Sequence, residues 1–494
     1  MKRIPQIVLL VLISFSAIGC FEDNDDTPIT TEQINDFVWR GMNRFYLYKD
    51  DVPDLANDRF SNSSNEYTDY LNSFSSPEEL FENLIYKRKA VDRFSWIVDD
   101  YIALEEFFKG ISVSNGMEFQ LFRFASSGSD RYGVVTHVLP NTSAEANGVK
   151  RGDIFYGIDG TQLTSSNVSQ LVNQNNYTIN IGTYNDNGTP DTDDDFVEPT
   201  TQSISLTKAQ YTKNPILVND VLSVSGKKIA YLMYNGFTGT DQFNSELNSA
   251  FGTFKNAGAN ELVLDLRYNP GGSVKTAILL AGLITGQFTG EIFSTEEWND
   301  EFQEALENED PELLINRFVN NNDGAPLNSL NLSKAYILTT GRSASASELV
   351  INSLRPYIEV IQIGTTTAGK YQASTTLYDS PDFRRDGVNP SHTYAMQPLI
   401  FKSLNVNGET DYFEGLSPNI VVGEKVNNLG ILGDVNEPLL AAAISHIDGT
   451  SKSFLHKPDY LEITNGSEDF DDFEIGMYQD KELPLNVLNI NSFE

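Results

Sequence analysis

One cysteine, Cys20, serves all 494 residues, so the chain can form no internal disulfide. Histidine is almost as scarce: His137, His392, His446 and His456 are the only four, and none stands in a sequence setting recognisable from serine hydrolases. Positive charge is in short supply. Against 69 Asp and Glu there are 34 Lys and Arg, a net charge of −35, and so acidic a surface repels nucleic acid and anionic lipid head groups. Beyond the N-terminal stretch no apolar run is long enough to span a bilayer, and no cluster of ligating side chains calls for a metal or a cofactor. What is plentiful is core material, 40% hydrophobic and 11% aromatic residues in a chain long enough for two or three domains.

Residues 1–19, MKRIPQIVLLVLISFSAIG, place Lys2 and Arg3 ahead of a short apolar run and small residues, as a secretory signal peptide does. The string Ser16-Ala17-Ile18-Gly19-Cys20 resembles a bacterial lipobox, in which the cysteine becomes the acylated first residue. The resemblance implies membrane attachment through lipidated Cys20. Residues 20–30 are acidic and polar, which suits a tether between lipid and globule, and acids directly after such a cysteine resemble a surface-display signal. The expectation is an exported bacterial lipoprotein of the outer membrane or cell surface.

From residue 31 to 109 apolar residues recur at helical spacing, as in Ile34, Phe37, Val38, Met42 and Phe45, and predict a small N-terminal helical domain. Residues 110–208 change to short alternating runs punctuated by glycine and proline, a strand-rich module. Within it "VVTHVLPNTSAEANGVKRGDIFYGIDGTQL", Val134 to Leu163, resembles a PDZ domain at Pro140, Ala144, Gly148, Gly152, Asp153 and Gly160. That resemblance implies capture of an extended peptide as an added strand, with Gly116, Met117 and Phe119 in the binding loop. Glu118 in the same loop would oppose a terminal carboxylate, so an extended peptide is a better expectation than a free C-terminus. The acidic loop 185–198 lacks the glutamate that closes an EF-hand and reads as a solvated hairpin tip.

Residues 215–450 alternate strand and helix patterns and predict a mainly parallel α/β core, interrupted by a polar, acidic helical insertion at 285–330 and followed by an extension at 451–494. Two loops of this core run from a strand directly into a helix: Arg267-Tyr268-Asn269-Pro270-Gly271-Gly272-Ser273, and Gly341-Arg342-Ser343-Ala344-Ser345-Ala346-Ser347-Glu348. Parallel strands bring both helix N-termini to one sheet edge, where free backbone N–H groups can hold an oxyanion. Three serines are candidate nucleophiles. Lys370 comes off the same edge and is a better-placed base than any histidine.

"LVLDLRYNPGG", "GRSASASELV" and "TTTAGK", with the PDZ-like module before them and "GLSPNIVV" after, resemble the S41 peptidases, the C-terminal or tail-specific processing proteases. "YLYKDDVPDL" and "DRFSWI" are similar to the lipoprotein branch of that family. The resemblance implies a multidomain α/β protein with a crotonase/ClpP-like core. It implies further that Ser345 is the nucleophile, Lys370 the base, and the N–H groups of Ala346 and of Gly271 or Gly272 the oxyanion donors. Ser347 is then expected to cap the next helix. The family's orienting glutamine, four residues after the lysine, is Ser374 here; Gln372 lies on the same side of a strand, so either Gln372 or Ser374 could take that place. The implied activity is serine endopeptidase action on proteins or peptides, with no cofactor. The alternative is an inactive peptide-binding lipoprotein on the same scaffold; an esterase or carbohydrate-linked enzyme ranks last.

Overall fold

The computed structural model describes residues 29–61, 63–124, 127–189, 194–450, 463–467, 473 and 476–481. The expected signal peptide, Cys20 and His456 lie outside these residues. The chain divides into two compact units: one runs to Tyr101 and takes in Thr376–Pro398, and the other comprises Ile102–Thr375 and the chain from Leu399 onward.

In the first unit, Thr30 and Gln33 form a capping box that starts the helix Thr31–Phe45, whose apolar stripe buries Phe37, Val38, Met42 and Phe45. Ser63 and Ser76 cap the shorter helices Ser64–Leu71 and Pro77–Leu84 by accepting the N–H of Glu66 and of Glu79. The strand Trp96–Val98 pairs antiparallel with Ala395–Gln397, which pairs in turn with Leu377–Tyr378. The helical part expected at 31–109 therefore takes in a segment from the far side of the core sequence. Its expected last helix, Tyr101–Phe108, falls almost entirely to the second unit.

The second unit holds the strand-rich module and the core. The module's sheet runs in the order Met117–Arg123, Arg131–Val138, Ile154–Ile158, Asn176–Asn185, Phe196–Thr207, with Phe119, Leu121, Val135, Phe155, Ile158 and Ile179 packed on one face. A further strand, Ile463–Gly466, adds antiparallel to the free edge of Met117–Arg123. The loop 185–198 joins the two long strands of a hairpin, and Asn187 and Gly188 make its left-handed turn.

The core is mixed, which corrects the expectation of a mainly parallel one. One sheet has the order Ile216–Val224, Lys227–Tyr234, Glu261–Asp265, Lys334–Thr339, Glu359–Gly364, Ile420–Val421, antiparallel at the first pair and parallel thereafter. A second sheet, Ile315–Arg317, Ile292–Trp298, Leu399–Leu404, Gln372–Ser374, is antiparallel throughout. The expected helical insertion is only partly helical: Ile292–Trp298 and Ile315–Arg317 join this second sheet, and Asp300–Glu309 lies between them as an α-helix. Paired glutamates in "TEEW" look like a solvated helix face, yet Glu296 is buried and accepts hydrogen bonds from Asn316 Nδ2 (3.0 Å), Trp298 Nε1 (3.1 Å) and Gln479 Nε2 (2.7 Å). Three donors offset its desolvation and let an acid face inward on a strand.

Candidate active site

Strand Glu261–Asp265 delivers the loop 266–273, and strand Lys334–Thr339 delivers the loop 340–345. The two loops are sewn together. Ser343 Oγ donates to the carbonyl of Leu266 (2.7 Å), the Ala344 N–H to that of Asn269 (3.0 Å), and Ser347 Oγ to the same Asn269 oxygen (3.0 Å). Ser347 thus sits inside the helix Ala346–Leu354 and does not cap it. The N-cap is Ser345, because the chain turns at that residue rather than two later.

That turn is strained. Ser345 has φ +63° and ψ −115°, which ordinary L-residues avoid at a cost of roughly 1–3 kcal/mol. A serine in a sharp strand-to-helix turn is held forward of its own backbone, as a nucleophile must be. Gly271 allows the approach: a Cβ there would lie 2.6 Å from Ser345 Cβ and 3.0 Å from both Ser345 Oγ and the Ala346 nitrogen. Gly271 and Gly272 have φ +115° and +133°, and the Gly271 N–H already donates to Asn269 Oδ1 (2.9 Å).

Glu348 joins the serine turn to the lysine loop. Its Oε2 accepts the N–H groups of Ser345 (2.8 Å) and Lys370 (2.8 Å), and its Oε1 the Thr367 hydroxyl (2.5 Å) and the Gly369 N–H (2.7 Å). Burial pushes the Glu348 carboxyl above its ordinary value, while these four donors pull the other way. The sequence reading passed over Glu348, although Ser345-x-x-Glu348 has the spacing of a capping box. Lys370 is buried, and so are Gln372 and Ser374 on the strand that follows.

A segment from the C-terminal extension crosses this site. The N–H of Met477 donates to Ser345 Oγ, and a Cβ on Gly476 would collide with Lys370 Nζ. Serine and lysine therefore lie against consecutive residues of one passing chain. The histidines are engaged elsewhere: His137 with Asn235 (3.1 Å) and stacked on Tyr268, His446 edge-on to Tyr336, His392 with Asp379 (2.9 Å).

Behind the glycine loop, fully buried Arg267 is bound by Asp265 (2.7 Å), Glu437 (2.6 Å) and Glu424 (3.1 Å). Arg151, from the strand-rich module, reaches Glu424 (2.6 Å) and the Tyr268 hydroxyl (2.7 Å). Burial would raise Glu424, but Arg151 and Arg267 hold it down at about 2. In the module's expected binding loop, Met117 and Phe119 point their side chains into the module core, and Gly116 makes a left-handed turn at φ +86°. The Phe119 N–H meets the hydroxyl of Ser467 (3.2 Å), and that hydroxyl donates to Glu118 (2.6 Å). Among the described residues no group of three or more His, Cys, Asp or Glu could hold a metal ion, and no helix is long and apolar enough to cross a membrane.

Comparison with known proteins adds to this mixed α/β core with a serine in a strained turn at a helix N-terminus. Residues 228–422 match the model of Peptidase family S41, residues 33–96 the Peptidase S41 N-terminal domain, and residues 103–178 the PDZ domain. The core, the N-terminal helices and the strand-rich module are thus each similar to a part of the S41 peptidase architecture. A carboxyl-terminal-processing protease of Picosynechococcus sp. is 22% identical over 295 residues, 56% of this chain and 63% of that protein. A carboxy-terminal-processing protease of Bartonella bacilliformis is 28% identical over 283 residues, 55% of this chain and 54% of that one. The matches thus span less than two thirds of these curated relatives. A crystal structure of a Bacteroides fragilis protein assigned to the S41 proteases is 26% identical, covers 84% of this chain and 98% of its own, and superposes with a TM-score of 0.64.

Proposed function

We propose that the protein is a serine endopeptidase that cuts extended polypeptides, with Ser345 as nucleophile and Lys370 as base. The observation that carries this reading is Glu348, one buried carboxylate fixing both the strained Ser345 turn and the Lys370 backbone. In the reaction, the neutral Lys370 amine takes the Ser345 Oγ proton as Oγ attacks a peptide carbonyl carbon. The oxyanion forms beside the N–H groups of Ala346 and of Gly271 or Gly272 at the head of the serine helix. Collapse breaks the C–N bond, and the leaving amine takes the proton back from Lys370. Water then gives a proton to Lys370 and attacks the acyl ester; collapse breaks the C–Oγ bond, frees the acid, and Lys370 returns the proton to Ser345 Oγ. Gln372, on the strand beyond the lysine, orients the amine, and the PDZ domain holds part of the substrate as an added strand.

The largely parallel six-stranded sheet supports a crotonase/ClpP-like reading of the core. The string ending at Cys20 supports export and a lipid anchor, which would bring substrates of the cell envelope within reach. Hydrolysis of β-casein tests the chemistry. Ser345→Ala and Lys370→Ala should each abolish it, and Lys370→Arg should be equally inactive, because arginine keeps the charge and cannot give up the proton. Activity in Lys370→Arg would remove Lys370 from the role of base.

A further inference from the structure

The C-terminal extension touches both places where a substrate would be held. At the PDZ domain, Ile463–Gly466 lies antiparallel on Met117–Arg123 with Gly466 opposite Gln120 and Asn465 opposite Leu121, the position of an added peptide strand. Ser467 ends that strand on Glu118, whose carboxylate also pairs with Lys213 (3.1 Å). A carboxylate at that point accepts a hydroxyl and repels a chain terminus, so this edge is built for the interior of a chain. Gly466 also packs on Arg342 of the serine loop, where a Cβ would collide with the guanidinium.

Nine residues further on, the segment enters the catalytic cleft as an extended strand bonded on both sides. Ser374 N–H donates to Met477 O (2.9 Å) and Gln479 N–H to Ser374 O (3.0 Å) on one side; Tyr478 N–H donates to Gly272 O (3.1 Å) and Val274 N–H to Tyr478 O (3.1 Å) on the other. Asp480 accepts from Ser273 Oγ (2.8 Å) and the Lys275 N–H (2.9 Å), and Met477 is fully buried. Ser345 Oγ accepts the N–H of Met477, so the link between Gly476 and Met477 lies at this side chain. The accepted bond takes one of the two lone pairs of Oγ, and the segment fills the space that another chain would need.

We propose that residues 463–467 and 476–481 are the two parts of an intramolecular ligand of a two-part peptide site, the PDZ edge and the catalytic cleft, and that they keep substrate out until displaced. This rests on the reading of the cleft as the substrate channel. It also names the ligand class: an extended interior segment with glycine against Lys370, a buried apolar residue next, and an acid three positions later on Ser273 and Lys275. A tethered ligand of this kind competes at an effective concentration of about millimolar, well above that of a micromolar substrate.

The test compares the full chain, the full chain carrying Met477→Asp, and a chain ending at residue 462. Placing a carboxylate at the buried Met477 position expels the strand without shortening the protein. Both altered chains should hydrolyse β-casein with kcat/KM raised about tenfold or more, mainly through KM. A fluorescent peptide of residues 463–481 should bind the shortened chain carrying Ser345→Ala, by anisotropy, and the same peptide with Met477→Asp should bind at least tenfold more weakly. If the shortened chain does not fold, the Met477→Asp chain still decides. Peptide binding by a chain that cuts nothing would uphold the occupant and sink the peptidase reading. Active variants no faster than the full chain, a peptide that does not bind, or self-cleavage between Gly476 and Met477 would each overturn the proposal.

Discussion

The Oε2 atom of Glu348 accepts the backbone N–H of Lys370 at 2.8 Å, across 22 positions of the chain. The same oxygen accepts the N–H of Ser345, so one carboxylate ties the turn of the proposed nucleophile to the loop of the proposed base. In the proposed mechanism Glu348 is a positioning residue. Glu348→Gln replaces one acceptor oxygen with a donor facing N–H groups, and it should lower kcat on the order of 10- to 100-fold with little change in KM, the cost of a misplacement near 1 Å. Glu348→Asp should recover part of that loss. A variant that loses stability but keeps wild-type kcat would show that Glu348 only supports the fold.

The conformation of Ser345 predicts a contrast between two inactive proteins. At φ +63° glycine is at ease and alanine is not, so Ser345→Gly should be about 1 kcal/mol more stable than Ser345→Ala in urea unfolding. Equal midpoints for the two would mean that the serine turn stores no strain.

Stability should fall in two steps as the solution is acidified. Burial holds His137 down from 6.5 to about 4; Arg151 and Lys213 act in the same direction and Glu118 and Glu424 oppose it. Between these values the unfolded chain binds a proton that the folded chain refuses, so stability drops as pH falls through that window. Burial would raise Glu118, but Lys213, His137 and the Ser467 hydroxyl hold it at about 2; Glu424 is held equally low by Arg151 and Arg267. Their stabilisation is present above the ordinary 4.5 and is lost as pH falls toward 2. Urea midpoints from pH 8 to pH 3 should show both steps, and His137→Gln should flatten the upper one. A wild-type profile that is level from pH 7 to 4 would count against a neutral, buried His137.

Attachment through Cys20 is a separate prediction, motivated by the Ser16-Ala17-Ile18-Gly19-Cys20 string. Cys20→Ala should move the protein from the membrane pellet to the soluble fraction in its native host. A variant that still sediments with lipid would place the anchor elsewhere.

Local signals told most where the chain is regular. The strands and helices at 227–265, 274–285 and 334–364 stand out as apolar runs, because the central strands are buried along nearly their whole length and, of the helices, only Asp241–Asn256 keeps a broad exposed side. The second sheet was hidden because its strand Ile292–Trp298 buries Glu296, whose partners come from distant residues, among them Asn316 and Gln479. Likewise, nothing near Thr376–Pro398 signals that it pairs with Trp96–Val98, since antiparallel strands so far apart in sequence leave no turn between them to read. The serine and lysine loops could be read as chemistry, but Glu348 looked like an ordinary helix-start acid. The crossing of the cleft by Gly476–Lys481 depends on main-chain bonds that any sequence can make.

Tyr478 is bridged on one side to Ser273 and on the other to Ser374, so the cleft is a gap one strand wide between two rows of main-chain donors and acceptors. No helix, turn or paired strand has the width to lie there. If the protein is the peptidase proposed above, a chain would have to shed its own hydrogen bonds over several residues before it fitted, and entry would be limited by the free energy of local opening in the incoming protein as much as by its sequence. Such a gap would sort proteins by how easily they come apart, sparing a well-folded neighbour and admitting a frayed or damaged one.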